Sequence, residues 1–301
     1  MSYLDIIGLL RPRQWVKNVF VVLPLFFSGG LFVWQLWIPA LVAALAFCFA
    51  ASGVYCFNDI MDCRADRLHP VKAARPVASG RVSVTMARGV MGGCLIVAGL
   101  LCVLLDKLEM VGLGGKGGDT GLVIAGYVVL NYAYSRYIKR IAIVDVFTLA
   151  LGFVLRLFAG AFACCIWLSP WIVSLTFLLA LFLAFAKRRD DVIMNEQGGV
   201  VTRRNTLTYN RTYLDLTLGV LCAVTIVCYV MYCMSPEVVE RLGSEYVYTT
   251  AVFVLLGMLR YMQLAIVENR SGAPTEIILR DGMMRFSLIG WIVSFGAILY
   301  F

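Results

Sequence analysis

The sequence predicts an all-α integral membrane protein of nine transmembrane helices. Three observations predict it. Of its 301 residues, 61% are hydrophobic, against about half in a soluble domain. The apolar residues come in blocks close to the ~20 that a helix needs to cross a bilayer. The charged residues, 15% of the chain, gather in the connecting segments, as they do where charge inside the hydrocarbon is costly.

The spans run over 16–36, 37–58, 86–106, 120–136, 143–166, 169–187, 213–234, 246–267 and 284–301. No cleavable leader is expected, because Arg11, Arg13 and Lys17 interrupt the start before an apolar core builds up. Trp15, Trp34, Trp37, Trp167 and Trp171 fall near span ends, where indoles seek the interface. Pro170 suits the first turn of a new helix, with Ser169 as its N-cap. The glycine-rich stretch 111–118 follows no strand and reads as a loop rather than a phosphate cradle. No linker or change of composition divides the chain, so residues 1–301 are expected to form a single domain.

Loop charge sets the orientation. Segments 1–17, 59–88, 137–140, 188–211 and 260–285 hold most of the 26 Lys and Arg, and the loops of the other side have only Lys107, Lys116 and Arg241. Cytoplasmic loops collect Lys and Arg. The N-terminus and the long basic loops are therefore expected in the cytoplasm of a multi-pass plasma (inner) membrane protein, with the C-terminus outside. The net charge of +8 is accounted for by this topology and by contact with the lipid bilayer; no nucleic acid binding is expected. Most of the ten cysteines lie in apolar runs, no CxxC pair occurs, and His69 is the sole histidine. Zinc and iron–sulfur chemistry are therefore not expected.

Chemistry concentrates in 58–80. Asn58, Asp62 and Asp66 are spaced i, i+4, i+8, and Asp59, Asp62 and Asp66 are spaced i, i+3, i+7. On a helix these share one side. Three carboxylates on one stripe repel one another, and Mg²⁺, a hard cation held by carboxylates and substrate phosphates, would offset that. Arg64, Arg67, His69, Lys72 and Arg75 follow. Salt bridges at a helix end would account for one or two such pairs. A diphosphate bridged to Mg²⁺ uses both signs together.

Asn-Asp-x-x-Asp-x-x-x-Asp, then Arg-x-x-Pro and Ser-Gly, on a chain of nine spans resembles the UbiA superfamily of intramembrane prenyltransferases. The resemblance implies helices around a central polar cavity. It also implies that Asp59, Asp62 and Asp66 are catalytic and hold Mg²⁺ and the donor diphosphate, with Asn58 in support. Segments 11–18, 66–80, 134–140, 144–161, 169–171, 187–191 and 272–281 look like one subgroup, the decaprenyl-phosphate 5-phosphoribosyltransferases. That likeness implies a Mg-dependent pentosyltransferase moving 5-phosphoribosyl from phosphoribosyl diphosphate to a polyprenyl phosphate.

The charge pattern leans the same way. Where an ordinary family member has a second acidic motif, this chain has Lys187, Arg188, Arg189, Asp190 and Asp191. Three cations suit two further phosphates, although they also suit a positive-inside cluster. The candidate substrate-binding set is Lys17, Asn58, Arg67, His69, Lys72, Arg75, Tyr134, Lys139, Arg156, Lys187, Arg188, Arg189 and Asp191. Arg156, inside the fifth span, must find a partner, either Asp145 or another buried acid, or substrate phosphate. Gly152 and Gly160 suit close helix packing. Tyr209, Asn210, Tyr213 and Asp215 match the subgroup with no role that the residues reveal. Two rivals stand beside this reading: a prenyltransferase with an aromatic acceptor, and a lipid-phosphate transporter. Homo-oligomerisation, isoprenoid length and the number of Mg²⁺ ions stay open.

Overall fold

The computed structural model describes residues 3–68, 72–110, 112, 115–196, 208–269, 276–277 and 280–300. The described residues are helical, joined by turns and short irregular segments. Among the described residues, seven helical segments are long and apolar enough to cross a membrane: Trp34–Asp66 (α3), Val84–Met110 (α4), Val144–Ala163 (α6), Pro170–Glu196 (α7), Arg211–Met234 (α8, followed by the short Pro236–Leu242, α9), Glu245–Ile266, whose α-helical part is Ala251–Ile266 (α10), and Gly282–Tyr300 (α11). Gly117–Arg136 (α5) has the length of a span, but glycines, Asp119 and Asn131 dilute its apolar character.

The start of the chain departs from the expected first span. In place of one helix over 16–36 stand Tyr3–Leu10 (α1), a 3-10 helix over Pro12–Val21, the short Leu23–Phe27 (α2) and a 3-10 turn over Gly30–Phe32. The breaks have local causes. Arg11 takes a left-handed conformation with φ 52°. Pro24 removes a backbone donor and crowds the carbonyl four residues earlier. Gly29, at φ 78°, turns the chain out of helical geometry. Hydropathy registers apolar residues and is blind to these breaks.

The chain forms two compact units. Unit 1 comprises Met1–Lys139 with Gly152–Leu168, and unit 2 comprises Arg140–Leu151 with Ser169–Phe301. The core of unit 1 is built on small side chains. Ala43, Ala46, Ala50 and Ala51 of α3 meet Ala98 and Cys102 of α4, Ile124 and Tyr127 of α5, and Ala159 and Ala163 of α6. Small residues let backbones approach closely where lipid offers no hydrophobic drive between helices. Gly160 shows this directly, since a Cβ there would collide with the carbonyl oxygen of Val21.

In unit 2, α7 packs on α8 and α10 on α8 and α11. Buried hydroxyls tie these apolar surfaces together. Tyr229 and Thr250 share a hydrogen bond of 2.7 Å, and Trp291 donates to Tyr229 at 2.6 Å. Asp281 begins α11 by accepting from the Met284 amide at 2.9 Å. The Arg260 guanidinium, 2.6 Å away, holds the Asp281 carboxyl below the usual carboxylate range. All ten cysteines are outside disulfides, and eight of them are buried.

Candidate active site

The acidic stripe lies on the last turns of α3, which continues as one helix through Asp66. At about 1.5 Å per residue its 33 residues outrun a ~30 Å hydrocarbon core, so the helix can carry polar residues at its end. Asp59 is 1% exposed and Asp66 5%, while Asp62 is only partly buried.

Each carboxylate is met by a cation from elsewhere in the chain. Arg11 pairs with Oδ1 of Asp59. Nη1 of Arg75 lies 3.4 Å from the same oxygen and 2.6 Å from Oδ2 of Asp66. Nζ of Lys139 donates to Asp62 at 2.5 Å. Asn58 accepts from the hydroxyl of Ser135 on α5. Oδ2 of Asp59 is buried and has no hydrogen-bond partner among the described residues, a costly condition for a carboxylate oxygen.

The loop that carries Arg75 is folded back onto α3. Arg67 donates from Nε to the Ala78 carbonyl at 3.0 Å. Val77 and Val82 pack against Leu9, Cys56, Cys63 and Ala87. In this arrangement Arg67 serves the backbone, Arg64 is exposed, and Lys72 is partly buried. His69 lies outside the described residues.

Further along unit 1, Arg156 is 5% exposed. Asp145, another buried acid and substrate phosphate are the alternatives that the sequence leaves for it. Arg156 donates to Asn18 Oδ1 at 2.8 Å, to the Gly152 carbonyl at 2.6 Å and to the Tyr127 hydroxyl at 3.1 Å. Its guanidinium lies 4.8–5.3 Å from the ring centroids of Phe47, Tyr127 and Phe153. A guanidinium is weakly hydrated and suits aromatic faces, which accounts for burial in an aromatic box without a carboxylate. Asn18 is buried, whereas Lys17 beside it is exposed; Tyr134 is partly buried.

In unit 2 the basic run at the end of α7 divides in two. Lys187 is exposed, and Arg188 and Arg189 are each 1% exposed. Arg188 meets Oδ2 of Asp145 through Nε at 2.9 Å and Nη2 at 2.8 Å, and Asp191 through Nη1 at 3.0 Å. Arg189 donates to Asp215 at 2.5 Å, to Asn269 at 3.0 Å and to the Ala265 carbonyl at 2.6 Å. It thereby caps the last carbonyls of α10. The Tyr209 hydroxyl accepts from the Ile143 amide at 2.6 Å and donates to Asp145 at 3.5 Å. Asp145, Tyr209 and Asp215 thus acquire roles that spacing did not reveal, because their partners come from distant positions in the chain. In the sequence Arg11 counted toward topology, the reading of the chain's start and the 11–18 likeness, but not toward the acidic stripe. A cation between α1 and the 3-10 helix Pro12–Val21 carries no sign of its carboxylate partner until the chain folds.

Among the described residues no three His, Cys, Asp or Glu side chains converge as a ready metal cage. The acidic end of α3 nevertheless fits a hard divalent cation. Its donors are carboxylate oxygens, and one of them, Oδ2 of Asp59, is buried and unpartnered.

The comparisons bear on this arrangement. Residues 19–289 match the model of the UbiA prenyltransferase family. The chain is 32% identical to a protein of Mycolicibacterium smegmatis named decaprenyl-phosphate phosphoribosyltransferase, over 98% of this chain and 92% of that one. A Corynebacterium glutamicum protein of the same name is 28% identical, over 94% of this chain and 83% of that one. Among solved structures, a UbiA homolog from Archaeoglobus fulgidus bound to DMAPP and Mg²⁺ superposes with a TM-score of 0.70 at 19% identity, covering 98% of this chain and 99% of that one. With its apolar helices, its acidic helix end and a family match over most of its length, this multi-pass membrane protein belongs to the UbiA prenyltransferase family.

Proposed function

We propose that the protein transfers 5-phosphoribosyl from phosphoribosyl diphosphate to a polyprenyl phosphate of the decaprenyl type, releasing diphosphate. The observation that carries this reading is the end-to-end likeness to proteins named decaprenyl-phosphate phosphoribosyltransferase. The paired charges at the end of α3 support its diphosphate half.

Asp59, Asp62 and Asp66 would hold Mg²⁺, with Asn58 beside them. When bound, the ion supplies Lewis-acid stabilisation of the charge that develops on the leaving diphosphate. Arg75, Lys72, Arg67 and His69 neutralise diphosphate oxygens, and Lys139 and Tyr134 border the same helix end. The bond from the anomeric carbon to diphosphate breaks as a lipid-phosphate oxygen bonds to that carbon from the opposite face. The acceptor is already anionic, so it needs placement more than deprotonation, and the anomeric configuration inverts.

Lys187 binds one monophosphate group, and Lys17 or Lys139 another. Arg188, Arg189 and Asp191 hold the end of α7 on which Lys187 stands, and this reading gives the two arginines a supporting role through their ion pairs. Arg156 positions Asn18 next to Lys17. The full proposal is a nine-span, single-domain enzyme of the plasma membrane with a central polar cavity and cytoplasmic active-site loops.

The test is purified protein given Mg²⁺, phosphoribosyl diphosphate and decaprenyl phosphate. Diphosphate should be released only when all three are present. Turnover of a prenyl diphosphate with an aromatic acid, and none with phosphoribosyl diphosphate, would replace this reading. A product with retained configuration would rule out direct displacement.

A further inference from the structure

Segment Pro12–Val21 lies along one stripe of α3. Asn18 donates to Cys48 at 3.0 Å, and Trp15 donates to Ser52 at 3.1 Å. The Arg11 guanidinium sits 5.3 Å from the Tyr55 ring centroid and pairs with Asp59. Positions 48, 52, 55 and 59 step along a single helix face. The segment therefore runs antiparallel to α3 and delivers Arg11 to the buried end of the acidic stripe. Ser52 also donates to the Leu10 carbonyl at 2.8 Å, which pins the backbone immediately before Arg11.

Arg11 itself is at φ 52°. A residue with a side chain rarely adopts that conformation, and it persists only where the surroundings hold it. Here the hold aims one guanidinium at one carboxylate. Arg75 is shared, 2.6 Å from Asp66 but 3.4 Å from Asp59. Arg11 is thus the principal neutraliser of Asp59, whose second oxygen is buried and unpartnered.

We infer that Arg11 is a stand-in cation for the diphosphate grip: it holds Asp59 until a divalent cation takes that carboxylate, and it then turns to the diphosphate oxygens. The inference rests on the reading that Asp59, Asp62 and Asp66 hold a divalent cation. Its physical basis is charge balance. A buried carboxylate beside Asp66 needs a neutralising partner whether or not the substrate is present. A guanidinium serves carboxylate and phosphate equally well through the same planar fork. The Tyr55 face gives it an apolar rest between the two. The consequence is a built-in coupling. Metal alone must displace Arg11 and binds weakly, whereas metal with diphosphate offers the displaced guanidinium a new partner and binds tightly.

The experiment uses the full-length protein in detergent with Mn²⁺ as the probe, its affinity read by electron paramagnetic resonance with and without inorganic diphosphate. In the unaltered protein diphosphate should tighten Mn²⁺ binding. In Arg11→Gln, Mn²⁺ alone should bind more tightly and the enhancement by diphosphate should shrink by about tenfold, inside the usual range of ligand–ligand coupling. A merely structural role would weaken both affinities together. Arg13→Gln, at an exposed position two residues on, should leave the coupling unchanged and controls for loss of net charge. Should Arg11→Gln not fold, Arg11→Lys keeps the charge without the fork and should shrink the enhancement by a smaller factor. Unchanged coupling in the variants overturns the inference while leaving the metal reading intact. Failure of the unaltered protein to bind Mn²⁺ overturns both.

Discussion

Asp62 and Arg188 are both charged residues in ion pairs, yet their surroundings give opposite expectations. The side chains of Asp62 and Lys139 are 37% and 28% exposed. A pair this open adds only ~0–1 kcal/mol to stability. Asp62→Asn should therefore leave the thermal unfolding temperature nearly unchanged. It should also lower turnover on the order of 10²-fold or more, the scale set by removing one group that stabilises developing charge. Near-normal turnover would remove Asp62 from the metal site. Arg188, by contrast, shares full burial with Asp145, at 1% and 0% side-chain exposure. Arg188→Ala strands a buried carboxylate, which costs about 3–5 kcal/mol. A lowered unfolding temperature in detergent is the expected readout. An unfolding curve like that of the unaltered protein, together with a raised KM, would instead make Arg188 a direct substrate ligand.

At the level of elements, the contact between the 3-10 helix Pro12–Val21 and α6 shows how close packing shapes this fold. Gly160 leaves room for the Val21 carbonyl, and the atom in the way of a side chain is backbone, which has no rotamer to move to. Gly160→Ala should destabilise the protein by about 1–3 kcal/mol or more, the cost of overpacking a filled core. The measurement is again thermal unfolding. A neutral result would mean that the segment does not rest on α6. Gly126, where a Cβ meets nothing within 4 Å, is the comparison position. The sequence assigned Gly160 to close helix packing and read 16–36 as a full span. The partner of Gly160 is a 3-10 stretch, because Pro24 and Gly29 break the helix that the apolar count implied.

For the molecule as a whole, orientation is the property that the charge pattern bears on most. Cys165, just past α6, is the exposed one among the ten cysteines. The alternation of basic loops predicts that it faces outside. A membrane-impermeant maleimide should label intact cells carrying the protein, and Cys165→Ser should abolish that label. Labelling only after the membrane is opened would reverse the topology and move the acidic end of α3 to the outer face.

Much of the design is local and was therefore legible in the chain. Length and hydropathy of the apolar blocks specify helices that suit a bilayer, because each helix satisfies its own backbone hydrogen bonds. The i, i+3, i+7 spacing of Asp59, Asp62 and Asp66 places them on one face for the same local reason. What only the tertiary structure decided is which cation meets which carboxylate. Arg11, Arg75 and Lys139 reach the stripe from three segments, and Arg188 and Arg189 turn inward to Asp145 and Asp215. Charge at close range acts through space without regard to position in the chain. A count of Lys and Arg can therefore announce the membrane side of a loop, but only folding separates the cations that tie the protein together from those left to meet a phosphate.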